Sequence, residues 1–185
     1  MHKFSPHRAD RLESPERYEL LPPGPTLRKF GLRPGMTFVD IGAGTGFFSR
    51  EAADIVGQEG IVYALDMSPE MLEILKRNGV PRNTRVILSG EYRLPMPDEV
   101  GDLTLLSTVL HENTDMKRLL AEAIRVTGKA GTVAIVEWKK QDEEIGPPSA
   151  ERIDKEDLLH ALSDYRIVAQ GDLNKSHYYI LIGRK

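Results

Sequence analysis

The chain contains no cysteine. That excludes a disulfide scaffold, a cysteine nucleophile and any thiolate metal site. Long apolar runs are missing too: no stretch approaches the roughly 18 residues a membrane span needs. The first 30 residues are charged throughout, with no apolar leader core, so a secretory signal is not expected and a cytoplasmic location is. Charge of one sign is scarce. With 25 Lys+Arg against 28 Asp+Glu the net charge is −3, and no basic stripe offers itself to nucleic acid. Residues 1–33 hold seven basic against four acidic side chains and residues 139–157 hold four against seven, excesses that a solvated surface accounts for. His2 and His7 stand five apart without a third ligand, so no metal site is expected.

What is present is an ordinary globular composition. At 185 residues and 40% hydrophobic, the chain supports one core and leaves no room for a separate substrate domain. Strand and helix patterns alternate along it. Thr37–Ile41 is a short apolar run that stops at a glycine cluster, followed by helical spacing through Phe48, Ala52 and Ile55 to Gly57. Ile61–Leu65 is the next strand. Ser68-Pro69-Glu70 then opens a helix with a cap, a proline at the first position and an acid against the dipole, and Lys76-Arg77-Asn78-Gly79 closes it. Arg85–Ser89 and Asp102–Ser107 read as strands, Thr114–Gly128 as a helix with its closing glycine, Thr132–Trp138 as a strand and Asp154–Leu162 as a helix. Tyr165–Ala169 and Tyr178–Ile182 have no helix between them and predict an antiparallel hairpin. The expected fold is therefore α/β: a Rossmann-like, doubly wound, mostly parallel seven-stranded sheet with an antiparallel C-terminal hairpin edge.

Residues 1–33 form an arm punctuated by Pro22-Pro23-Gly24-Pro25, with short helices expected over Pro15–Leu21 and Thr26–Phe30; residues 34–185 form the single globular unit. The arm either straps the body or lies over the open end of the sheet, where ligands of such folds bind.

The informative segment is Val39-Asp40-Ile41-Gly42-Ala43-Gly44-Thr45-Gly46. A strand turns sharply into a helix here, and its glycines let a ligand approach backbone N–H groups. A dinucleotide fingerprint would place its third glycine where Phe47 stands, which argues against a nicotinamide oxidoreductase. Asp66 ends the second strand, 20 residues after Gly46, and suits the two hydroxyls of an adenosine ribose; capping near Ser68 is its alternative use.

Taken in order, Asp40–Gly46, then Ala64-Leu65-Asp66-Met67-Ser68, then Gly90-Glu91 before Leu94-Pro95 resemble the successive motifs of class I S-adenosylmethionine-dependent methyltransferases. Their kind is the small-molecule type represented by the ubiquinone/menaquinone biosynthesis enzymes, and the likeness covers residues 34–138. The resemblance implies S-adenosyl-L-methionine as cofactor and S-adenosyl-L-homocysteine as product. It implies Gly42, Gly44 and Gly46 against the methionine moiety, Asp40 at its amino end, Asp66 on the ribose and Met67 on the adenine. It also implies Glu91, one methylene longer than the usual aspartate, facing the adenine amino group, and Ser107 beside the methionine moiety.

A methyl sulfonium needs no metal, and positioning of the acceptor carries most of the rate. A general base matters only where the acceptor must lose a proton. His111 and Glu137 are the candidates for that role. Each has a structural alternative, His111 as a loop anchor and Glu137 as a partner for Lys139 or Lys140. Trp138 is expected in rim or core packing, and His160 and His177 as incidental. The partner expected is a small-molecule acceptor, selected by Tyr18–Pro25, the loop after the fourth strand and the Lys139–Ile153 segment; a homodimer is compatible with the sequence. The second reading is an RNA or protein methyltransferase, weakened by Ser107-Thr108-Val109-Leu110 where amino-methylating enzymes carry an Asn/Asp-Pro-Pro-aromatic run. The third is a cofactor-binding module without turnover.

Overall fold

The computed structural model describes residues 6–185; His2 lies outside them. Seven strands, β1 (Thr37–Ile41), β2 (Ile61–Asp66), β3 (Thr84–Leu88), β4 (Gly101–Ser107), β5 (Thr127–Trp138), β6 (Arg166–Asp172) and β7 (His177–Gly183), form one sheet in the order β3-β2-β1-β4-β5-β7-β6. The first five run parallel. Strand β7 is antiparallel to both β5 and β6. The order reverses at β1, which pairs with β2 on one side and β4 on the other. At that switch point the crevice beyond the carboxyl ends is the ligand position of such sheets.

Both faces are covered, so adjacent strand residues feed separate cores. Val39, Leu106 and Ile135 point to one core with Leu119 and Leu120; Phe38, Leu105 and Ala134 point to the other with Phe48 and Ala52. The helices are α1 (Pro15–Leu20), α2 (Pro23–Lys29), α3 (Phe47–Val56), α4 (Pro69–Arg77), α5 (Met116–Val126) and α6 (Lys155–Ala161). Helix α4 starts as its sequence dictates, with the Ser68 hydroxyl accepting from the Met71 N–H at 3.2 Å. Leu21, Leu27, Phe30 and Leu32 join the core that holds Phe48 and Ala52, so the back of the arm is packed into the body.

Several expectations from sequence need correction. Helix α2 begins at Pro23 rather than Thr26, because a proline's missing N–H costs nothing in a first turn. Helix α5 ends at Val126 and strand β5 starts at the next residue, so Gly128 is no helix stop. The Thr127 hydroxyl instead donates to the Ala123 carbonyl at 2.6 Å, and a Cβ on Gly131 would stand 2.7 Å from the Gly101 carbonyl oxygen. These small residues carry β5 hard against β4 five residues earlier than periodicity suggests. Strand β6 is displaced toward its C-terminal end, with a bulge between Ile167 and Ala169.

The Lys139–Ile153 segment wraps around one guanidinium. Arg152, 3% exposed, donates to the carbonyls of Lys139, Ile145 and Pro147 and to the Glu143 carboxylate, and lies 5.1 Å from the Trp138 ring centre. His177 is not incidental either. Its ring lies 4.0 Å from that of Trp138, centre to centre, and burial, with Arg17 adding to it, pulls its pKa down to about 3.

Candidate functional site

A cavity of about 690 Å³ opens beyond the carboxyl ends of β1, β2 and β4. Of the residues expected to touch the cofactor, Asp40, Gly42, Gly44, Asp66, Met67, Glu91 and Ser107 all line it, and Gly46 does not. Gly46 is the N-cap of α3 at φ 90°, where a Cβ would press to 3.0 Å from Leu75. Its place is helix packing. Gly42 takes φ 75°, and a Cβ there would stand 2.6 Å from a Val109 methyl. The turn is thus built for close approach by neighbouring protein as well as by a ligand.

Asp66 joins the two uses that its sequence position allows. One carboxylate oxygen accepts from the Gly44 N–H and the other from the Ser68 N–H, each at 2.8 Å. The glycine turn and the entry to α4 are thereby tied to one side chain, while an ionised carboxylate retains acceptor sites for hydroxyls. Burial raises its pKa against the lowering by those N–H donors.

Asp40 is deeper, at 2% exposure, and accepts from the Ser49 hydroxyl at 2.6 Å. Burial pushes its pKa up to about 7; the Ser49 hydrogen bond opposes that shift, the Asp66 carboxylate adds to it and the Arg17 guanidinium opposes it. A buried acid so placed favours a cation nearby. Ser107 Oγ, at the end of β4, is buried with no hydrogen-bond partner among the described residues. An orphaned hydroxyl, an under-paired acid and a glycine turn on the cavity wall fit the polar amino-acid end of S-adenosylmethionine.

Thr108 has φ 56°, a conformation costly for a β-branched residue, and its N–H donates to the Val136 carbonyl at 2.7 Å. It turns the chain after β4 into the cavity wall. No sequence signal marks it, since a threonine at positive φ runs against propensity.

His111 and Glu137 are brought together, away from the cavity lining. The imidazole Nδ1 stands 2.8 Å from Glu137 Oε2, and the other carboxylate oxygen accepts from the Leu110 and His111 N–H groups at 2.9 and 3.3 Å. Glu137 is fully buried and His111 is 6% exposed. Glu137 therefore does not pair with Lys139, which reaches Asp172 at 2.7 Å. Burial on its own would lower the His111 pKa, but the hydrogen bond and charge of Glu137 outweigh it and the net shift is upward.

The arm supplies what the motifs do not show. Leu12 and Arg17 line the cavity. Glu13, in a short 3-10 turn over Pro6–Glu13, accepts from the Thr45 hydroxyl at 2.5 Å and from the Arg50 guanidinium at 2.6 Å. Tyr18 packs against Phe47 with ring centres 4.6 Å apart and the rings tilted by 57°. Phe47, bulky where a dinucleotide fold needs glycine, is the surface on which the arm docks; that bulk is the one signal of it in the sequence. Among the described residues no group of three His, Asp or Glu side chains is placed to hold a metal, and no helix is long and apolar enough to cross a membrane.

Comparison with known proteins agrees with this geometry. The family model described as "Methyltransferase domain" matches residues 39–135. The ubiquinone/menaquinone biosynthesis C-methyltransferase UbiE of Vibrio parahaemolyticus is 32% identical over 114 residues, 60% of this chain and 44% of that protein. Its counterpart in Shewanella piezotolerans is 30% identical over 124 residues, 65% of this chain and 49% of that one. The chain thus spans less than half the length of these curated relatives. A crystal structure of a SAM-dependent methyltransferase from Aquifex aeolicus superposes with a TM-score of 0.91 at 31% identity, covering 97% of this chain and 98% of that one. A type 11 methyltransferase fold from Sulfolobus solfataricus follows at 0.71 and 24%, covering 94% of each chain. Sheet order, glycine turn and matched family model converge: the chain belongs to the class I S-adenosylmethionine-dependent methyltransferases, with S-adenosylmethionine as its cofactor.

Proposed function

We propose that this chain transfers a methyl group from S-adenosylmethionine to a small organic acceptor. The observation that carries the reading is the cavity in which the glycine turn, Asp40, Asp66 and the unpartnered Ser107 hydroxyl converge. A volume of about 690 Å³ is of small-molecule size. The similarity to enzymes named for C-methylation in quinone biosynthesis supports a small acceptor. When bound, the cofactor supplies an electrophilic methyl group on its sulfonium.

The residues divide the work. Gly42 and Gly44 put the backbone of the turn beside the methionine moiety, and Asp40 and Ser107 take its amino end. Asp66 receives the ribose hydroxyls, while Met67 and Glu91 border the adenine. From the described part of the arm, Leu12 and Arg17 border this end of the sheet. The acceptor enters beside Val109, Glu112 and Asn113, which line the same cavity. His111 and Glu137 are positioning residues for that wall: a carboxylate holding two backbone N–H groups and an imidazole sets the loop rather than moving a proton.

Calorimetric titration with S-adenosylhomocysteine tests the site. Asp66→Ala should weaken binding by about 1–3 kcal/mol, and unchanged affinity would remove Asp66 from it. A screen of small aromatic and quinone-like acceptors with methyl-labelled S-adenosylmethionine tests the activity; label in RNA or protein and in no small molecule would overturn the acceptor class.

A further inference from the structure

We propose that Arg17, carried by the N-terminal arm, binds the α-carboxylate of the cofactor's methionine moiety, so that the arm completes the ligand site. The inference rests on the cofactor site proposed above.

Arg17 lines the cavity, yet among the described residues its guanidinium makes one hydrogen bond, from Nη1 to the Leu12 carbonyl at 2.9 Å. Among those residues no carboxylate lies within ion-pair distance of it. A guanidinium carries five N–H donors in a planar fork, the geometry that matches a carboxylate through two parallel bonds. Removing such a fork from water without an anion is costly, and burial does pull the Arg17 pKa down to about 10, with Glu13 and Asp40 opposing the shift. The group stays cationic at neutral pH.

Its position is held. The guanidinium carbon lies 4.1 Å from the centre of the Phe47 ring, a cation–π contact made at the first residue of α3, directly after the glycine turn. Glu13, four residues earlier, clamps the arm to Thr45 and Arg50 on that turn and helix. Tyr18, the next residue, packs against Phe47 and shares its hydroxyl with Glu13 and Arg50, each at 3.1 Å. The cation is thus fixed relative to the glycine turn by contacts on both sides of it in sequence.

Asp40 shares the cavity and feels the Arg17 charge. An acid held by Ser49 alone, beside a cation that no described carboxylate pairs, is the complement of an α-ammonium carboxylate. Asp40 takes the ammonium and Arg17 the carboxylate. Each protein charge then gains an opposite ligand charge in a site of restricted water, where paired charges are worth most.

A cycle in which both partners are deleted isolates the contact. Wild-type protein and Arg17→Met, which keeps an aliphatic stem against Phe47, are titrated calorimetrically with S-adenosylhomocysteine and with its decarboxylated analogue. Removing the carboxylate should cost the wild type about tenfold or more in affinity and cost Arg17→Met less than about threefold. Equal losses in the two proteins would overturn the proposal, placing the carboxylate elsewhere. Should Arg17→Met fail to fold, Arg17→Gln reads the same coupling: a smaller loss than wild type supports the contact, and an equal loss overturns it. A wild-type protein that binds neither nucleoside would bring down the cofactor site, and this contact with it.

Discussion

Two carboxylates stand at the carboxyl ends of strands with only β4 between them, Asp40 on β1 and Glu137 on β5. Glu137 accepts from two loop N–H groups, from the His111 ring and from the Trp138 N–H at 3.3 Å, all of them protein. Asp40 has the Ser49 hydroxyl and an open cavity in front of it. The same chemical group at nearly the same depth is in one case consumed by the fold and in the other left facing the cavity. The difference is in how many donors the surrounding loops aim at it. Burial by itself therefore identifies neither a catalytic group nor a binding group; the count of satisfied lone pairs does.

If that contrast is right, the two acids should fail differently. The largest effect belongs to Glu137→Ala, which strands buried N–H groups and the imidazole and should cost about 3–5 kcal/mol of stability. Urea denaturation checks it, and a change below about 1 kcal/mol would mean that the network is not holding the loop.

Asp40→Asn should instead weaken S-adenosylhomocysteine by about tenfold at pH 8 while leaving the fold intact. Its stability carries a pH signature. The Asp40 pKa in the fold, about 7, lies above the ordinary value of 3.8, so the native state holds the extra proton. The group's contribution is full below that lower value and is lost as pH rises through the upper one. An amide at this position has no charge to bury, so the Asp40→Asn variant should be the more stable at pH 8 and lose that advantage toward pH 5. Urea midpoints at the two pH values decide this.

His111→Gln sharpens the other side. The imidazole pKa is raised, with Glu137 outweighing burial, so its contribution is present below the ordinary histidine range and fades as pH passes the raised value. The loss on substitution should be about 1.5–3 kcal/mol at pH 5.5 and smaller at pH 9. A loss independent of pH would show that the pair holds no proton worth counting.

The smallest effect is expected from Glu91→Asp. Glu91 is half-buried on the cavity wall, and shortening it by one methylene keeps the charge. Affinity for S-adenosylhomocysteine should move by less than about threefold, which competitive titration can resolve.

Legibility follows the range of the interactions. The glycine turn and the Ser68 cap are readable in the sequence because each works within a few residues, through allowed φ angles and cap hydrogen bonds; Asp66 is readable as the acid that ends a strand, though its bond to the Gly44 N–H spans 22 residues. The alternation of strands and helices is readable because burial imposes a period on one element at a time. At Gly128 and Gly131, where glycine reads as punctuation, packing of β5 on β4 overrides it. Phe47 signals in sequence only what it excludes, whereas its role is to dock Arg17 and Tyr18. Lys139 and Lys140 are the neighbours of Glu137 in sequence, yet its partner is 26 residues away.

The amino-acid order by itself determined the class of fold, its antiparallel hairpin edge and the resemblance carried by its glycine turn, because steric limits on φ and the periodicity of burial act locally along any stretch of chain. Which charges meet was decided by the folded packing alone. Arg17 and Asp40 line one cavity, Glu13 reaches Thr45 and His111 reaches Glu137 only after helices and strands have settled on a common sheet. Hydrogen bonds and ion pairs depend on separations of a few ångströms, and no spacing in the sequence encodes such distances between residues dozens of positions apart.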